Sequence, residues 1–481
     1  MWFCRDRKKR YSSTWVCNQF VITWCVIIWM ALFDPLFGSA AMSEVFSDRA
    51  RLQHMLDFEA ALARAEARCG VIPAAAAAAI AAKCRAELID VEALASATAA
   101  SINPAIPLVK QLTALVGKED SKAARFVHWG ATSQDANDTG LVLQIRKAFV
   151  ILEVDLDALC AGLREQAQKY RSTPIAGRTL MQHALPTTFG VKVAGWLDAM
   201  NRHGERFVET RRRVLVLQFG GAVGTLAALR DKGLQVAEAL AEELQLELPA
   251  LPWHAQRDRI AEATTTLGLC AGTLGKMARD LSLHMQTEIA EVFEPAGKGR
   301  GGSSTMPHKR NPVSAAVVLS AATRVPGLVS TMLSAMVQED ERGVGNWHAE
   351  WETLPQIFRL TAGALRQMTT IVPHLEVDTA RMKRNLEATN GLIFAEAVTM
   401  AIANHIGKSA AHELIEEASR QVRETGRHLR EVLGNDRAVT EFLTAAELDS
   451  LFAPENYLGV AEEWVDRVID ASRELGHEDE K

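Results

Sequence analysis

Apolar residues recur at helical spacing in the middle of the chain. Three or four residues separate each member of one stripe from the next, and its members are Leu141, Ile145, Ala148, Leu152, Leu156, Leu159 and Leu163. This spacing puts them on one face of a helix, whereas Asp155 and Asp157 fall between them, where we expect water to reach their side chains. The pattern predicts a long amphipathic helix.

Proline is distributed unevenly, and its absence permits further long helices. The intervals 108–173, 187–248 and 253–294 contain none, and a proline inside a helix would cost about 3 kcal/mol. Strand signals are weak, because the β-prone run 214–217 is isolated within a helical context. We therefore predict an all-α protein with a central bundle of long helices, completed by other subunits that cover the remaining apolar faces.

The periodic pattern changes character twice along the chain. Shorter periodic segments, among them the alanine-rich stretch 74–82, extend to about residue 140, and shorter, more charged helical units follow residue 388. We predict an N-terminal helical domain over 30–140, a long-helix bundle domain over 141–387 and a small C-terminal helical domain over 388–481. A chain of 481 residues is long enough for several domains.

The first 29 residues do not fit this scheme. Basic residues among the first ten precede an apolar run over 15–33, which is the layout of a signal peptide or a membrane anchor. No small-residue cleavage site is obvious, so we favour a start codon assigned too far upstream, with Met30 as the initiator. Residues 1–29 are treated as an extension outside the fold, and a membrane location is not expected.

Composition narrows the choice of partners and compartment. The net charge is −6 and no face-sized basic cluster follows the first ten residues, so nucleic acid is not an expected partner. The seven cysteines are odd in number and include no CxxC pair. They indicate neither a disulfide framework nor a metal site, and they favour the cytoplasm.

The most informative stretch is the loop 297–312. It is rich in glycine, and then presents Ser303 and Ser304, followed by the run Met-Pro-His-Lys-Arg-Asn-Pro over 306–312. A plain linker would share the glycine and serine but would have no use for the run that follows. A mobile lid that brings a serine and a cation onto an anionic substrate accounts for all of it.

The segment GSSTMPHKRNP in this loop resembles the signature of the fumarase/aspartase superfamily, which includes adenylosuccinate lyase, argininosuccinate lyase, fumarase and the bacterial carboxymuconate cycloisomerases. The resemblance implies a three-domain fold around a long-helix bundle and a homotetramer with active sites shared between subunits. It implies that Ser303 is catalytic, and that Lys309 and Asn311 bind a substrate carboxylate. No metal or organic cofactor is implied.

Two further segments resemble the superfamily. In HWGATSQD, over 128–135, hydroxyl residues before a helix could merely cap it, but the resemblance favours substrate binding by Thr132 and Ser133, with His128 catalytic. Residues 177–186 resemble the GRTxxxxAxP segment and contain Gln182, expected to bind substrate, and His183, expected to be catalytic. Leu180 stands where adenylosuccinate lyases and fumarases carry a histidine, which argues against their reactions.

A fourth region favours the cycloisomerases among the members of the superfamily. The block over 338–355 is similar to the corresponding block of the cycloisomerases, and it includes Arg342, which we expect to bind a substrate carboxylate. In another segment, Gln256 and Arg257 are expected near the site, whereas Trp253 is expected to serve in packing. The activity implied is the closure of a lactone on a small tricarboxylate in aromatic compound degradation. The alternatives are an adenylosuccinate lyase-like C–N lyase and an idle structural relative of the crystallin kind, which intact Ser303 and Lys309 disfavour.

Overall fold

The computed structural model describes residues 32–297, 301–302, 305–306 and 308–475. The predicted extension over 1–29 and the predicted catalytic Ser303 lie outside these residues. Within them the chain forms nineteen α-helices and four short strands. The N-terminal part contains α1 Asp34–Phe37, α2 Ala40–Val45, α3 Asp48–Arg68, α4 Ala74–Ala81, α5 Val91–Ser101 and α6 Ala105–Gly117.

Long helices dominate the centre of the chain, as the proline-free intervals predict. The central elements are α7 Ser133–Lys169, β1 Pro174–Thr179, β2 Gln182–Thr188, α8 Phe189–Val214, α9 Gly233–Leu244, α10 Asp258–His284, β3 Val292–Phe293, α11 Val313–Ala335 and α12 Asn346–Ile371. The 37 residues of α7 span about 55 Å. The all-α fold class and the central bundle of long helices are confirmed.

The C-terminal part consists of short helices and one strand that pairs with β3. Its elements are β4 Glu376–Val377, α13 Thr379–Leu386, α14 Ala395–Ile406, α15 Lys408–Thr425, α16 Leu429–Gly434, α17 Arg437–Thr440, α18 Ala445–Leu451 and α19 Ala461–Leu475. Helices α14 to α18 bury a small core of their own, whereas Val465 and Ile469 of α19 belong to the main core. The division into three domains stays a prediction.

The predicted stripe of α7 is its buried face. All its members from Ile145 to Leu163 are at most 2% exposed, and Leu141 is half-buried. The expectation for Asp155 is wrong, because this residue is buried and its carboxylate accepts a hydrogen bond from Arg366 of α12 at 2.9 Å. Asp157 is exposed as predicted. A neighbouring helix therefore supplied Asp155 with a partner that periodicity along α7 could not reveal.

Helix α11 packs between α10 and α12, and α7 packs against α3, α8 and α12. The contact between α10 and α11 is close, since a Cβ atom added at Gly275 would lie 2.5 Å from the Cβ of Ala322. By length and composition α11 could cross a membrane, and 33% of its apolar window is buried inside the protomer. A bent pair, Thr379–Thr389 with Leu392–Ile406, meets the same test only jointly.

A hairpin between α7 and α8 was not predicted. Strands β1 and β2 pair antiparallel, and Thr179 faces Gln182 across a two-residue turn. Leu180 and Met181 form this turn with φ of 48° and 66°, a left-handed conformation that usually selects asparagine and glycine. Because neither occurs here, the turn carried no sequence signal. The β-prone run 214–217 ends α8 and supplies an isolated bridge between Val216 and Glu247.

Candidate active site

The start of α7 is held by a network of hydrogen bonds. Thr132 precedes the helix in an extended conformation, and its backbone N–H donates to Asp135 Oδ2 at 3.0 Å. Ser133 is the first helical residue, and its hydroxyl accepts a hydrogen bond from Asn103 Nδ2 at 3.0 Å. A helix begins with unpaired N–H groups and a partial positive charge, which together favour an anion at this point.

Asp135 holds a second loop against the start of α7. Its buried carboxylate accepts hydrogen bonds from the backbone N–H groups of Gly220 and Gly221, at 3.1 and 2.9 Å. It also bonds His254 Nε2 at 2.7 Å. Charge-assisted bonds of this kind are strong in a buried setting. They place Ala222, the next residue of the loop, beside Thr132.

Arg342 lies between Thr132 and Ala222 at the start of α7, and these residues are called the α7 corner. Its Nη2 donates to Thr132 Oγ1 at 3.1 Å and to the carbonyl of Ala222 at 3.0 Å. No carboxylate in the described part of the chain pairs with this guanidinium, and its buried Nε has no acceptor there. The carboxylate of Asp135 caps this end of α7, and Arg342 adds a positive charge beside it, where a further anion could bind. The structure thus brings Arg342 to Thr132, next to Ser133 at the start of α7, with the guanidinium Nε free of an acceptor in the described part of the chain.

His128 lies four residues before Thr132 and has an unpredicted partner. Its backbone is left-handed, with φ of 59°, and its Nδ1 is 2.6 Å from Oε1 of Glu59 on α3. Burial alone would lower the pKa of His128, but the charge of Glu59 and its hydrogen bond, with Asp135, outweigh burial and raise it. The sequence could have identified Glu59 as unusual, because this glutamate lies on the buried face of α3, three residues after Leu56.

The hairpin carries Gln182 and His183 at some remove from this corner. Gln182 is exposed, and His183 is half-buried with an Nδ1 atom that has no partner among the described residues. Burial and Arg178 lower the pKa of His183, so its ring is neutral at pH 7. At the tip of the hairpin Leu180 is 97% exposed. No hydrogen bond or ion pair within the described ranges links Gln182 or His183 to His128, Thr132 or Arg342.

Arg178 fixes the base of the hairpin. Its guanidinium makes two hydrogen bonds to the carboxylate of Glu291, at 3.0 and 2.7 Å. Burial alone would raise the pKa of Glu291, but hydrogen bonds from His284, Arg178 and Asn385 outweigh burial and set it at about 2. The orientation of the hairpin is therefore set by a buried ion pair, while its tip is left uncovered in the protomer.

The predicted signature loop is anchored at its end. The N–H of Asn311 donates to the carbonyl of Gly301 at 2.8 Å, which closes the loop at its base. Arg310 donates to Glu376 and to the carbonyl of Glu294, each at 2.7 Å. Glu294 in turn accepts from the first N–H groups of α11. Lys309 is exposed beside this anchored base, where an anion could reach its ammonium.

Arg257 lies in a buried ion-pair network rather than at a surface. Its side chain is 1% exposed, and it binds Asp138 of α7 at 2.7 Å and Glu350 of α12 at 2.5 Å. All five N–H donors of a guanidinium are taken up here by these two carboxylates and the carbonyl of His254. These contacts favour a structural role for Arg257. Gln256, beside it, is exposed, and its contact with substrate stays a prediction.

The two best-formed depressions of the described surface lie away from the predicted site residues. Two surface depressions, of about 730 and 380 Å³, lie between α8 and α9 and beside α13, and neither is lined by a predicted site residue. No group of three or more His, Cys, Asp or Glu side chains suited to a metal ion occurs in the part of the chain that the structure describes. The described candidate residues thus lie on three different elements: the start of α7, the hairpin and the signature loop.

Comparison with known proteins identifies the family of this chain. A lyase family model matches residues 38–327, and a model of the adenylosuccinate lyase C-terminus matches 391–468. A 3-carboxy-cis,cis-muconate cycloisomerase of Pseudomonas aeruginosa is 59% identical over 93% of this chain and 97% of its own. One from Pseudomonas putida is 57% identical over 87% of this chain and 99% of its own. The crystal structure of the 3-carboxy-cis,cis-muconate lactonizing enzyme of Pseudomonas putida superposes with a TM-score of 0.89, at 55% identity, covering 92% of this chain and 99% of that one.

Proposed function

Because this chain belongs to the fumarase/aspartase superfamily of lyases, we propose that it is a 3-carboxy-cis,cis-muconate cycloisomerase. In this reaction one carboxylate of a small tricarboxylate adds to the far end of a double bond conjugated to another carboxylate. A C–O bond forms and a lactone ring closes. The observation that carries the proposal is the identity to cycloisomerases over nearly the full length of the chain, and the position of Arg342 beside Thr132 at the start of α7 supports it.

The geometry of the α7 corner fits the charge that develops. As the new C–O bond forms, the electrons of the double bond move onto the second carboxylate as an enediolate. Arg342 and the N–H groups at the start of α7 are already in place to receive this charge. Preorganised donors of this kind supply the largest single contribution to many enzymatic rate enhancements. We assign carboxylate binding to Thr132, Ser133, Arg342, Lys309 and Asn311.

The enediolate must then take a proton at the adjacent carbon. We assign the donor to Ser303 or to a histidine close to it, of which His128 is the candidate because the charge of Glu59 raises its pKa. His183 is neutral at pH 7 and suits a hydrogen-bonding or proton-accepting role, with exposed Gln182 and Gln256 as further substrate contacts. Arg257 is assigned to holding the scaffold, since its donors are already occupied.

Members of this superfamily are oligomeric and act on small carboxylates, and we propose a homotetramer with shared sites. The lack of any hydrogen bond or ion pair between the hairpin residues Gln182 and His183 and the start of α7, within the described ranges, supports this. So does the apolar exposure of the long helices, since Val154 of α7 and Leu333 of α11 are 63% and 48% exposed. Mixing inactive Ser303→Ala subunits with inactive Arg342→Ala subunits should restore part of the activity, because some sites then receive both wild-type residues. Mixtures that stay inactive after subunit exchange would contradict shared sites.

We further propose that the enzyme acts in the cytoplasm. The four cysteines in the described part, Cys69, Cys84, Cys160 and Cys270, are all free thiols, as suits a reducing compartment. Expression of the full reading frame and of a form beginning at Met30, followed by cell fractionation, tests this. Recovery of the full-length product in the membrane fraction would contradict it.

The experiment that decides the function is a substrate comparison. Purified protein is incubated with 3-carboxy-cis,cis-muconate and, separately, with adenylosuccinate, and the absorbance of each substrate is followed. We expect turnover of the first alone, because Leu180 lacks the imidazole that an adenylosuccinate lyase uses. Ser303→Ala should abolish turnover and leave the oligomer intact, while its neighbour variant Ser304→Ala retains activity. Cleavage of adenylosuccinate without loss of 3-carboxymuconate would favour the C–N lyase instead.

A further inference from the structure

We propose that Glu59 is a positioning residue of the active site, which fixes the ring of His128 and favours its protonated form, so that Nε2–H is presented to the substrate anion. The proposal rests on the proposed function, because it takes His128 to act on a bound carboxylate or on the enediolate. Glu59 lies 69 residues before His128 in the chain, on α3.

The contact between the two side chains is short and enclosed. Nδ1 of His128 is 2.6 Å from Oε1 of Glu59, and the Glu59 side chain is 1% exposed while that of His128 is 15% exposed. A carboxylate acceptor at this distance requires the proton of His128 to be on Nδ1. Nε2 makes no hydrogen bond within the described ranges. It is therefore the nitrogen left for a ligand, and it can donate only when the ring is a cation.

The backbone of His128 indicates that its position is imposed. A non-glycine residue in the left-handed region costs about 1 kcal/mol and persists only where its surroundings hold it. The next turn is equally constrained, because a Cβ atom added at Gly130 would lie 2.7 Å from Leu229. The ring is thus held at one end by the loop before α7 and at the other by Glu59.

Among the described residues, the charged groups that face His128 are Glu59 from α3 and Asp135 from α7. Glu66, two helical turns beyond Glu59 on the same face of α3, is 0% exposed, and neither of its oxygens has a partner among the described residues. An ionised carboxylate in that setting would be very costly, so Glu66 is protonated. Burial, reinforced by the charge of Glu59, raises its pKa to about 9 and also raises the pKa of the nearby Cys84 thiol.

Of the two glutamates on this face of α3, Glu59 therefore carries the negative charge and Glu66 carries none. Asp135 adds to the field at His128, but its oxygens are occupied by the loop N–H groups and by His254. When the cationic ring gives its Nε2 proton to the substrate carbon, a neutral imidazole with its proton on Nδ1 remains, still bonded to Glu59. The ring regains a proton from water before the next turnover.

The two glutamates provide a matched pair of variants. Glu59→Gln and Glu66→Gln make the same chemical change, on the same helix, at positions that are both buried. Wild-type kcat/KM should fall at high pH as His128 loses its proton. Loss of a facing charge lowers the pKa of a histidine by about 1–3, so in Glu59→Gln this fall should begin at lower pH. We expect a deficit of about tenfold or more at pH 8 that shrinks toward pH 6, and a Glu66→Gln profile that matches wild type.

A second measurement does not depend on turnover. Diethyl pyrocarbonate acylates only the unprotonated imidazole, and mass spectrometry of the peptide containing His128 gives its modification rate at each pH. The pH at which this rate is half-maximal should lie above that of a free histidine in wild type and in Glu66→Gln. In Glu59→Gln it should lie below the wild-type value. Glu59→Asp, which keeps the charge, should restore part of the difference if Glu59→Gln folds poorly.

Three results would overturn the proposal. They are equal midpoints in wild type and Glu59→Gln, equal shifts in both glutamine variants, and a wild-type midpoint below that of free histidine. A protein that shows the predicted midpoints but does not act on 3-carboxymuconate would contradict the proposed function alone.

Discussion

Replacing Arg257 should unfold the scaffold rather than merely weaken substrate binding. In Arg257→Ala the carboxylates of Asp138 and Glu350 lose their shared cation while both remain buried, at 1% exposure each. Removing one partner of a buried ion pair costs about 3–5 kcal/mol, because the remaining charge is left without compensation. We therefore expect the midpoint of urea unfolding to fall by roughly 1 M or more.

The same variant should show a distinctive pH dependence. Burial already raises the pKa of Glu350, against the opposing effect of Arg257. Without Arg257 this pKa rises further in the folded state, above the value in the unfolded chain. A group with a raised folded pKa costs stability as pH increases through that pKa, so the deficit of Arg257→Ala should be smaller at pH 5 than at pH 8.

Urea unfolding followed by far-ultraviolet circular dichroism, at pH 5 and pH 8, measures both effects at one protein concentration. Arg257→Met combined with Asp138→Asn and Glu350→Gln, which removes all three charges, should recover part of the lost stability. The control is Arg342→Ala, because the Arg342 cation has no carboxylate partner in the described part of the chain. Its loss should leave the free energy of unfolding within about 0.5 kcal/mol of the wild-type value. An Arg257→Ala enzyme as stable as wild type but inactive would refute the structural assignment and support the predicted substrate contact.

Three further outcomes are expected. Arg342→Ala should lower kcat/KM by about 10²–10³-fold at pH 7 in steady-state assays, as the loss of one charge-stabilising donor does elsewhere; an unchanged value would remove Arg342 from the anion site. Glu291 has a folded pKa of about 2, below its usual value of 4.5, so it stabilises the fold above pH 4.5 and this stabilisation is lost as pH falls toward 2. Urea titrations across this window should therefore show a smaller acid loss for Glu291→Gln than for wild type. Gly275→Ala should destabilise the protein by about 1–3 kcal/mol, because its Cβ would collide with Ala322, whereas Gly272→Ala on the same helix meets open space and should be neutral or stabilising in thermal unfolding.

Periodicity and motif were sufficient for the overall picture. The spacing of Leu152, Leu156, Leu159 and Leu163 predicted α7 and its buried face, because a helix turns by a constant angle per residue and burial follows from that angle alone. The loop around Lys309 predicted the superfamily, because the residues of the signature motif are consecutive in the sequence. Such local features do not depend on which part of the chain packs against them.

The sequence was less informative where a residue's role depends on a distant partner. Arg257 was predicted to bind substrate, but its contacts with Asp138 and Glu350 take up its donors. The hairpin escaped prediction because Leu180 and Met181 lack the usual turn residues and are held in the left-handed region by the strands on either side.

Glu59 illustrates the limit most clearly. A glutamate within an apolar stripe of α3 marks a position of interest in the sequence, but Glu66 on the same face marks another. Only the fold brings His128 to within 2.6 Å of the first and leaves the second without a partner. The charge state of each glutamate follows from those contacts, because a buried carboxylate stays ionised only beside a cation or donors. The sequence by itself determined the helices and the chemical groups, whereas tertiary structure decided which of those groups are paired, charged and free to meet a substrate.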